Sequence, residues 1–191
     1  DVTRWTWVQT GYVGDPPSKC NILLPDASFA GDLKHSKSIS GGVLCLVCHN
    51  TFVPVSWLCK KQTAVSHSST ESELFFADSG LKSIGLPALD LWEILLSRPG
   101  LKLTMFQDND ACCRVCRSGK NPNMLHIGRT HRISVAWLHE QLQTNEIRMH
   151  RADSELMAAD IFTKTFPDAK AAGWRNNLRL INVLDSNSAD D

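Results

Sequence analysis

The apolar and polar positions change period along the chain, and that change predicts its elements. Residues 21–29, Asn-Ile-Leu-Leu-Pro-Asp-Ala-Ser-Phe, read as a strand with an acidic tip. The apolar runs 41–49 and 52–58 flank His49-Asn50-Thr51 and read as a hairpin. The period then turns helical. Ser69-Thr70-Glu71-Ser72-Glu73 supplies capping hydroxyls and early carboxylates, and Leu74, Phe75, Ala77, Leu81 and Ile84 form an apolar stripe. Gly85 and Pro87 interrupt this helix, and a second is predicted over 87–97. Residues 101–107 read as a buried strand ending at Asp108, and 109–117 as a short helix. A longer helix is predicted over 131–144, with Ile133, Trp137, Leu138 and Leu142 at helical spacing. A short strand at 147–150, a helix at 154–163 and a last helix from about 168 to 178 complete the pattern.

Three strands come first, and strands then alternate with helices, which indicates a mixed sheet with helices on its faces. The predicted organisation is a lead-in or linker at 1–19, a domain over 20–167, a C-terminal helix at 168–184 and a disordered acidic tail at 185–191. At 191 residues, 42% hydrophobic and 21% charged, the chain can bury one sizeable core, and disorder throughout is excluded. No apolar run approaches the roughly 18–20 residues of a membrane span. Twenty Lys and Arg balance twenty Asp and Glu, so a nucleic-acid surface could exist only as a local patch. The N-terminus has neither an initiator Met nor a signal-peptide shape, which suggests a processed chain or a piece of a longer one.

Seven cysteines at irregular spacing argue against a secreted disulfide framework and for a reducing compartment. Cys45/Cys48 and Cys113/Cys116 form two CxxC pairs that could hold zinc. Their separation far exceeds that of a zinc ribbon, and strand positions i and i+3 face opposite ways. They read instead as small buried hydrophobes.

Four carboxylates stand where the architecture would gather them. Asp26 and Asp108 follow strands, Glu73 lies early in a helix, and Asp160 sits among Ala158, Ala159, Ile161 and Phe162. Ligands of open α/β sheets gather outside the carboxyl ends of the strands. Hard oxygens suit Mg²⁺ or Mn²⁺. Acidic residues at strand ends and helix N-termini are common on surfaces, but the apolar setting of Asp26 and Asp160 favours a site, because an unpaired charge there is costly.

Several blocks, in order and at consistent spacing over about 22–167, resemble copia-type retrotransposon polyproteins. They are Asp26-Ala27-Ser28-Phe29-Ala30-Gly31-Asp32, Lys37-Ser38-Ile39-Ser40-Gly41, and Val55-Ser56-Trp57 with Lys60-Lys61-Gln62. Ser68-Ser69-Thr70-Glu71-Ser72-Glu73, Phe106-Gln107-Asp108-Asn109, His126-Ile127-Gly128-Arg129-Thr130-His131-Arg132-Ile133 and Ala159-Asp160-Ile161-Phe162-Thr163-Lys164 follow. The resemblance is to the ribonuclease H domain of the Pol polyprotein. It implies an RNase H-like α/β fold, a five-stranded mixed sheet in order 3-2-1-4-5 flanked by helices. It also implies cleavage of the RNA strand of an RNA–DNA hybrid during reverse transcription, leaving a 5′ phosphate and a 3′ hydroxyl.

The implied metal set, holding two Mg²⁺ or Mn²⁺ ions, is Asp26, Glu73, Asp108 and Asp160. Glu73 is preferred to Glu71 because Ser72-Glu73-Leu74 fits the family pattern. Lys34, Lys37, Lys60, Lys61, Arg129, His131 and Arg132 are candidates to grip the hybrid. His150, ten residues before Asp160, is a candidate proton shuttle or an ordinary strand-end residue. Residues 109–184 carry eleven Lys or Arg against seven Asp or Glu, a modest basic bias.

The implied partners are the hybrid and the reverse transcriptase part of the same polyprotein, with no membrane and no small-molecule cofactor. The implied setting is a cytoplasmic retrotransposon particle or the nucleus. Ser28-Phe29 departs from the family's Asp-Trp, and Ser134 stands where an acidic residue is common. Competing readings are a non-catalytic RNase H-like remnant acting as a binding module, and another nuclease of the same fold, such as an integrase-like one.

Overall fold

A computed structural model describes residues 5–7, 21–25, 37–97, 101–163, 173 and 180–182. The strands are β1 (Trp5–Trp7), β2 (Asn21–Pro25), β3 (Ile39–Val47), β4 (Phe52–Lys61), β5 (Leu103–Gln107), β6 (Ile147–Arg151) and β7 (Leu180–Asn182). The α-helices are α1 (Ser69–Gly80), α2 (Leu86–Leu96), α3 (Asp110–Ser118), α4 (Ile127–Thr130) and α5 (Val135–Gln143). Five strands form the main sheet in the order β4-β3-β2-β5-β6. β3 runs antiparallel to β2 and β4, whereas β2, β5 and β6 are parallel.

The registers place one end of this sheet in view. Pro25 closes β2 opposite Phe106, and Gln107 closes β5 opposite Arg151. Leu23 pairs with Cys45 on the antiparallel β3, so the start of β3 extends past the C-terminal end of β2. The C-terminal ends of three parallel strands and the first residues of β3 therefore share one edge.

β3 alternates with period two. Leu44 faces a core built from Leu103, Met105, Ile147 and Met149 of the sheet and Leu74, Ala77, Leu81, Cys112 and Leu138 of the helices. Val43 and Cys45 face the other way and pack with Phe52, Ile161 and Phe162. Pro54 fits because β4 is an edge strand, where a missing N–H costs no ladder bond. Leu44 pairs with Ser56 and Cys45 with Pro54, so Val55 is the extra residue of a bulge.

Four predicted boundaries change. The chain does not break at Gly85. It runs from α1 through a π-helical segment, Leu81–Gly85, into α2, with Pro87 just after the π-helical segment. A Cβ at Gly85 would stand 2.7 Å from Leu103 Cδ2, so glycine lets this helix lie close on β5. The helix predicted over 131–144 starts only at Val135. Arg132 has φ 57°, which stops helix growth, and Ser134 caps α5 by accepting from the Trp137 N–H at 3.1 Å. The helix predicted over 154–163 is two 3₁₀ turns, Ser154–Leu156 and Ala158–Phe162, broken at Met157 with ψ 89°.

The fourth change concerns the ends. Leu180–Asn182, within the predicted C-terminal helix, is a strand paired antiparallel with Trp5–Trp7 of the lead-in segment. The rest of that helix, apart from Gly173, and the acidic tail lie outside the described residues. No helix among the described residues is long and apolar enough to cross a membrane.

Candidate active site

Three of the four predicted carboxylates are described, and each is held at the shared sheet edge by a different local device. Asp26, next in sequence after Pro25, lies outside the described residues.

Glu73 is carried by α1. Ser68 caps that helix by accepting from the Glu71 N–H at 3.2 Å. A buried network then ties α1 to the sheet. Gln62 Nε2 donates to Ser40 Oγ and the Ser72 carbonyl at 3.0 Å each, and to Ser72 Oγ at 3.1 Å. Ser66 Oγ donates to Gln62 Oε1 at 3.1 Å. The Lys-Lys-Gln block thus has a physical meaning: its Gln fixes the residue preceding Glu73 against the start of β3. Glu73 itself is 5% exposed.

Asp108 sits between β5 and α3. Gln107 folds its Oε1 back to accept from the Asn109 N–H at 2.9 Å. Asn109 caps α3 through the Cys112 N–H at 3.0 Å. The Asn109 amide also donates to Ser69 Oγ at 3.3 Å, and Thr70 Oγ1 donates to Asn109 Oδ1 at 3.4 Å. These bonds moor the Asp108 turn to the first residues of α1. Asp108 is half-buried.

Asp160 lies in the 3₁₀ turn Ala158–Phe162, on the sheet face opposite α1, and is 5% exposed. The turn rests on β3 at Gly41. A Cβ there would stand 2.5 Å from Thr163 Cγ2 and 2.8 Å from Phe162 Cβ. Cys59 Sγ of β4, the register partner of Gly41, donates to the Phe162 carbonyl at 3.0 Å and holds the turn on the same sheet face. Sequence reading alone did not single out Gln62, Asn109 or Gly41 as site-forming. Their signal was present in the blocks, as a Gln ending an exposed strand, an Asn before a helix, and a Gly inside an apolar strand.

Glu71, the neighbour set aside in favour of Glu73, is engaged elsewhere. Its side chain contacts His131, His126 and the His67 backbone. Burial pushes its carboxyl up, but the His67 N–H and the His131 and His126 rings outweigh that and hold it below the usual range.

The candidate grip divides. Lys60 and Lys61 are exposed at the end of β4, Lys37 is half-buried, and Arg129 and Arg132 are exposed around α4. Lys34 lies outside the described residues. His131 is corrected: its side chain is fully buried against Glu71, so it offers no surface cation. His150 is exposed on the edge strand β6, with its ring centroid 6.3 Å from that of Phe106. It lines a groove with Arg117 and Arg148 that none of Glu73, Asp108 or Asp160 lines.

Cys45, Cys112, Cys113 and Cys116 are buried in the apolar clusters, Cys48 is half-buried and Cys59 is exposed. Among the described residues no three His, Cys, Asp or Glu form a metal cluster. The donor chemistry at the edge is nonetheless that of a hard divalent cation: carboxylate oxygens only, two of them nearly buried.

No family model matches the chain. It is 28% identical over 166 residues to the Retrovirus-related Pol polyprotein from transposon RE2 of Arabidopsis thaliana, covering 83% of this chain and 10% of that protein. The corresponding RE1 polyprotein of Arabidopsis thaliana is 29% identical over 146 residues, covering 73% and 9%. The chain therefore spans about a tenth of the curated relatives it matches. Among solved structures, LC11-RNase H1 isolated from compost aligns at TM-score 0.52 and 9% identity, over 75% of this chain and 92% of that one. RNase H1 from Halobacterium salinarum aligns at 0.48 and 9% identity, over 82% and 98%. By fold, then, the chain is a ribonuclease H-like α/β domain. By sequence it is similar to a segment of the Pol polyproteins of copia-type retrotransposons, which agrees with a ribonuclease H domain of such a protein.

Proposed function

We propose that this domain is an endoribonuclease that cleaves the RNA strand of RNA–DNA hybrids during retrotransposon reverse transcription. The observation that supports the reading is that the elements bearing three of the proposed carboxylates are tied to one sheet edge. Glu73, Asp108 and Asp160 are moored there by Gln62, Asn109 and Gly41, at the C-terminal ends of the parallel strands. The main sheet, counted by its own strands, is taken as the 3-2-1-4-5 platform of a ribonuclease H.

Asp26, Glu73, Asp108 and Asp160 would hold two Mg²⁺ or Mn²⁺ ions. Such ions supply an activated water nucleophile and charge stabilisation of the leaving oxygen. The protein's own part is to fix the carboxylates on rigid elements and to bind the substrate backbone. Lys60, Lys61, Arg129 and Arg132 are the described cations suited to that binding, with Lys34 and Lys37 as further candidates. The remaining Pol polyprotein, reverse transcriptase included, would be the working partner, inside a retrotransposon particle or the nucleus. His150 is retained as a proton-shuttle candidate only for the hybrid-bound state, because the groove it lines excludes the described carboxylates.

The test is cleavage of a labelled RNA–DNA hybrid at low salt in Mg²⁺ and in Mn²⁺, beside Asp108→Asn. Cutting of the RNA strand that Asp108→Asn lowers by about 10²-fold or more supports the reading. A folded protein that leaves the hybrid intact, even with a reverse transcriptase domain added, would favour the non-catalytic remnant.

A further inference from the structure

Glu71 stands two residues before Glu73 and serves a different purpose. It is 1% exposed, and both carboxylate oxygens are occupied. Oε1 lies 2.8 Å from His131 Nε2 and 3.2 Å from His126 Nε2, and Oε2 accepts from the His67 N–H at 2.7 Å. The His131 approach is close but off-line, a packing contact rather than an aligned hydrogen bond. Its ring also packs edge-on to Phe75 of α1, with centroids 5.8 Å apart. His126 and His131 flank α4 on either side, so one buried carboxylate grips both ends of that short helix.

Two further observations say what the grip is for. Arg132, next after His131, is held at φ 57°. A left-handed backbone is strained for a non-glycine residue and persists only where its surroundings impose it. Residues 111–139 also contain five Lys or Arg and no Asp or Glu. Arg129 and Arg132, both exposed, are the cations of that stretch lying in the gripped turn. A strained turn in an acid-free segment, tied to the helix that bears Glu73, has the makings of a built polyanion contact.

We propose that Glu71 is a positioning residue. It fastens the His126–Arg132 turn to the start of α1, so that Arg129 and Arg132 meet a nucleic-acid backbone in fixed register with the carboxylate edge. The proposal rests on the ribonuclease reading for its substrate. The fastening itself stands on the contacts alone.

The test compares Glu71→Ala and Glu71→Gln with the parent chain in three measurements: amide hydrogen exchange, hybrid affinity in the Asp108→Asn background, and the split of cleavage kinetics into kcat and KM. For Glu71→Ala, exchange should quicken at 126–132 but not in β3 or β5. Affinity should fall and KM rise by about tenfold, with kcat within about twofold. Glu71→Gln should recover part of the loss, since an amide oxygen can still accept a weaker, uncharged bond. Arg129→Ala with Arg132→Ala should lose affinity comparably, and adding Glu71→Ala to that pair should cost little more. If Glu71→Ala fails to fold, His126→Ala takes its place, at a side chain 44% exposed. A fall in kcat at unchanged KM, full additivity with the arginine pair, or unchanged exchange at 126–132 would overturn the proposal. Loss of the ribonuclease reading would show instead as no cleavage by the parent chain, with the exchange and affinity measurements still deciding the role of Glu71.

Discussion

Gly41 carries no functional group, yet it sets where Asp160 stands. Any side chain there meets Thr163 and Phe162 at distances real Cβ atoms do not reach, so the turn bearing Asp160 must lift. Gly41→Val should lower hybrid cleavage by about 10²-fold, the scale of a misplacement near 1 Å, while the circular dichroism spectrum is kept. Thr163→Ser, which removes the closest methyl, should restore part of the activity of Gly41→Ala. Cys45 is a residue-scale case of the opposite kind. Burial on β3 pushes its thiol up to about 12. The folded form therefore keeps a proton that the unfolded chain releases above its ordinary range near 8.5. The full contribution to stability is present below that pH, and it is lost at about 1.4 kcal/mol per pH unit as the pH rises towards 12. Urea unfolding at pH 8 and pH 10 measures this. Alkylation of the native protein at pH 8 should mark exposed Cys59 well before Cys45.

At the scale of elements, the site depends on joints between them. The Gln62 network joins β3, the end of β4 and α1 through three serines. Gln62→Leu would leave Ser40, Ser66 and Ser72 without this partner in a buried setting. The expected loss is about 1–3 kcal/mol in urea unfolding, together with weakened activity from a displaced Glu73. Such joints explain what the sequence could and could not reveal. The hairpin, α1 and the strands before Asp108 and around His150 are legible because hydrophobic period alone specifies them. The turn bearing Asp160 read as an α-helix because Ala158-Ala159-Asp160-Ile161-Phe162 has helical composition. Close packing on Gly41 and the break at Met157 hold it in 3₁₀ form instead. Periodicity places the α5 start at His131, four residues before Val135, because a left-handed Arg132 leaves no trace in it. His131 read as a surface cation since nothing local says that its partner is a carboxylate sixty residues earlier in the chain. Long-range polar pairs of this kind lie beyond pattern reading, whereas Glu73 and Asp108 stand out as candidates because helix starts and strand ends are local features.

The whole molecule poses the question of how a chain of zero net charge would hold the proposed hybrid. The answer offered by its layout is segregation: an acid-free stretch at 111–139 on one side of the sequence, and the carboxylate edge kept to strand ends and α1. A domain with so few backbone contacts should bind a hybrid weakly and with modest salt dependence. If Lys60, Lys61, Arg129 and Arg132 are the principal contacts, log affinity against log salt should have a slope no steeper than about −4. Removing Arg129 and Arg132 together should flatten it by about two, with a similar proportional loss on hybrids of any sequence. Fluorescence anisotropy of a labelled hybrid with Asp108→Asn, over a range of salt concentrations, reads both quantities. A slope much steeper than −4 would assign the grip to further cations, and an unchanged slope in the arginine variant would remove the α4 turn from the interface. The chain spans about a tenth of its curated relatives, so the same titration with the proposed partner, a reverse transcriptase segment, attached should steepen the slope and raise the affinity without altering the loss caused by the arginine pair.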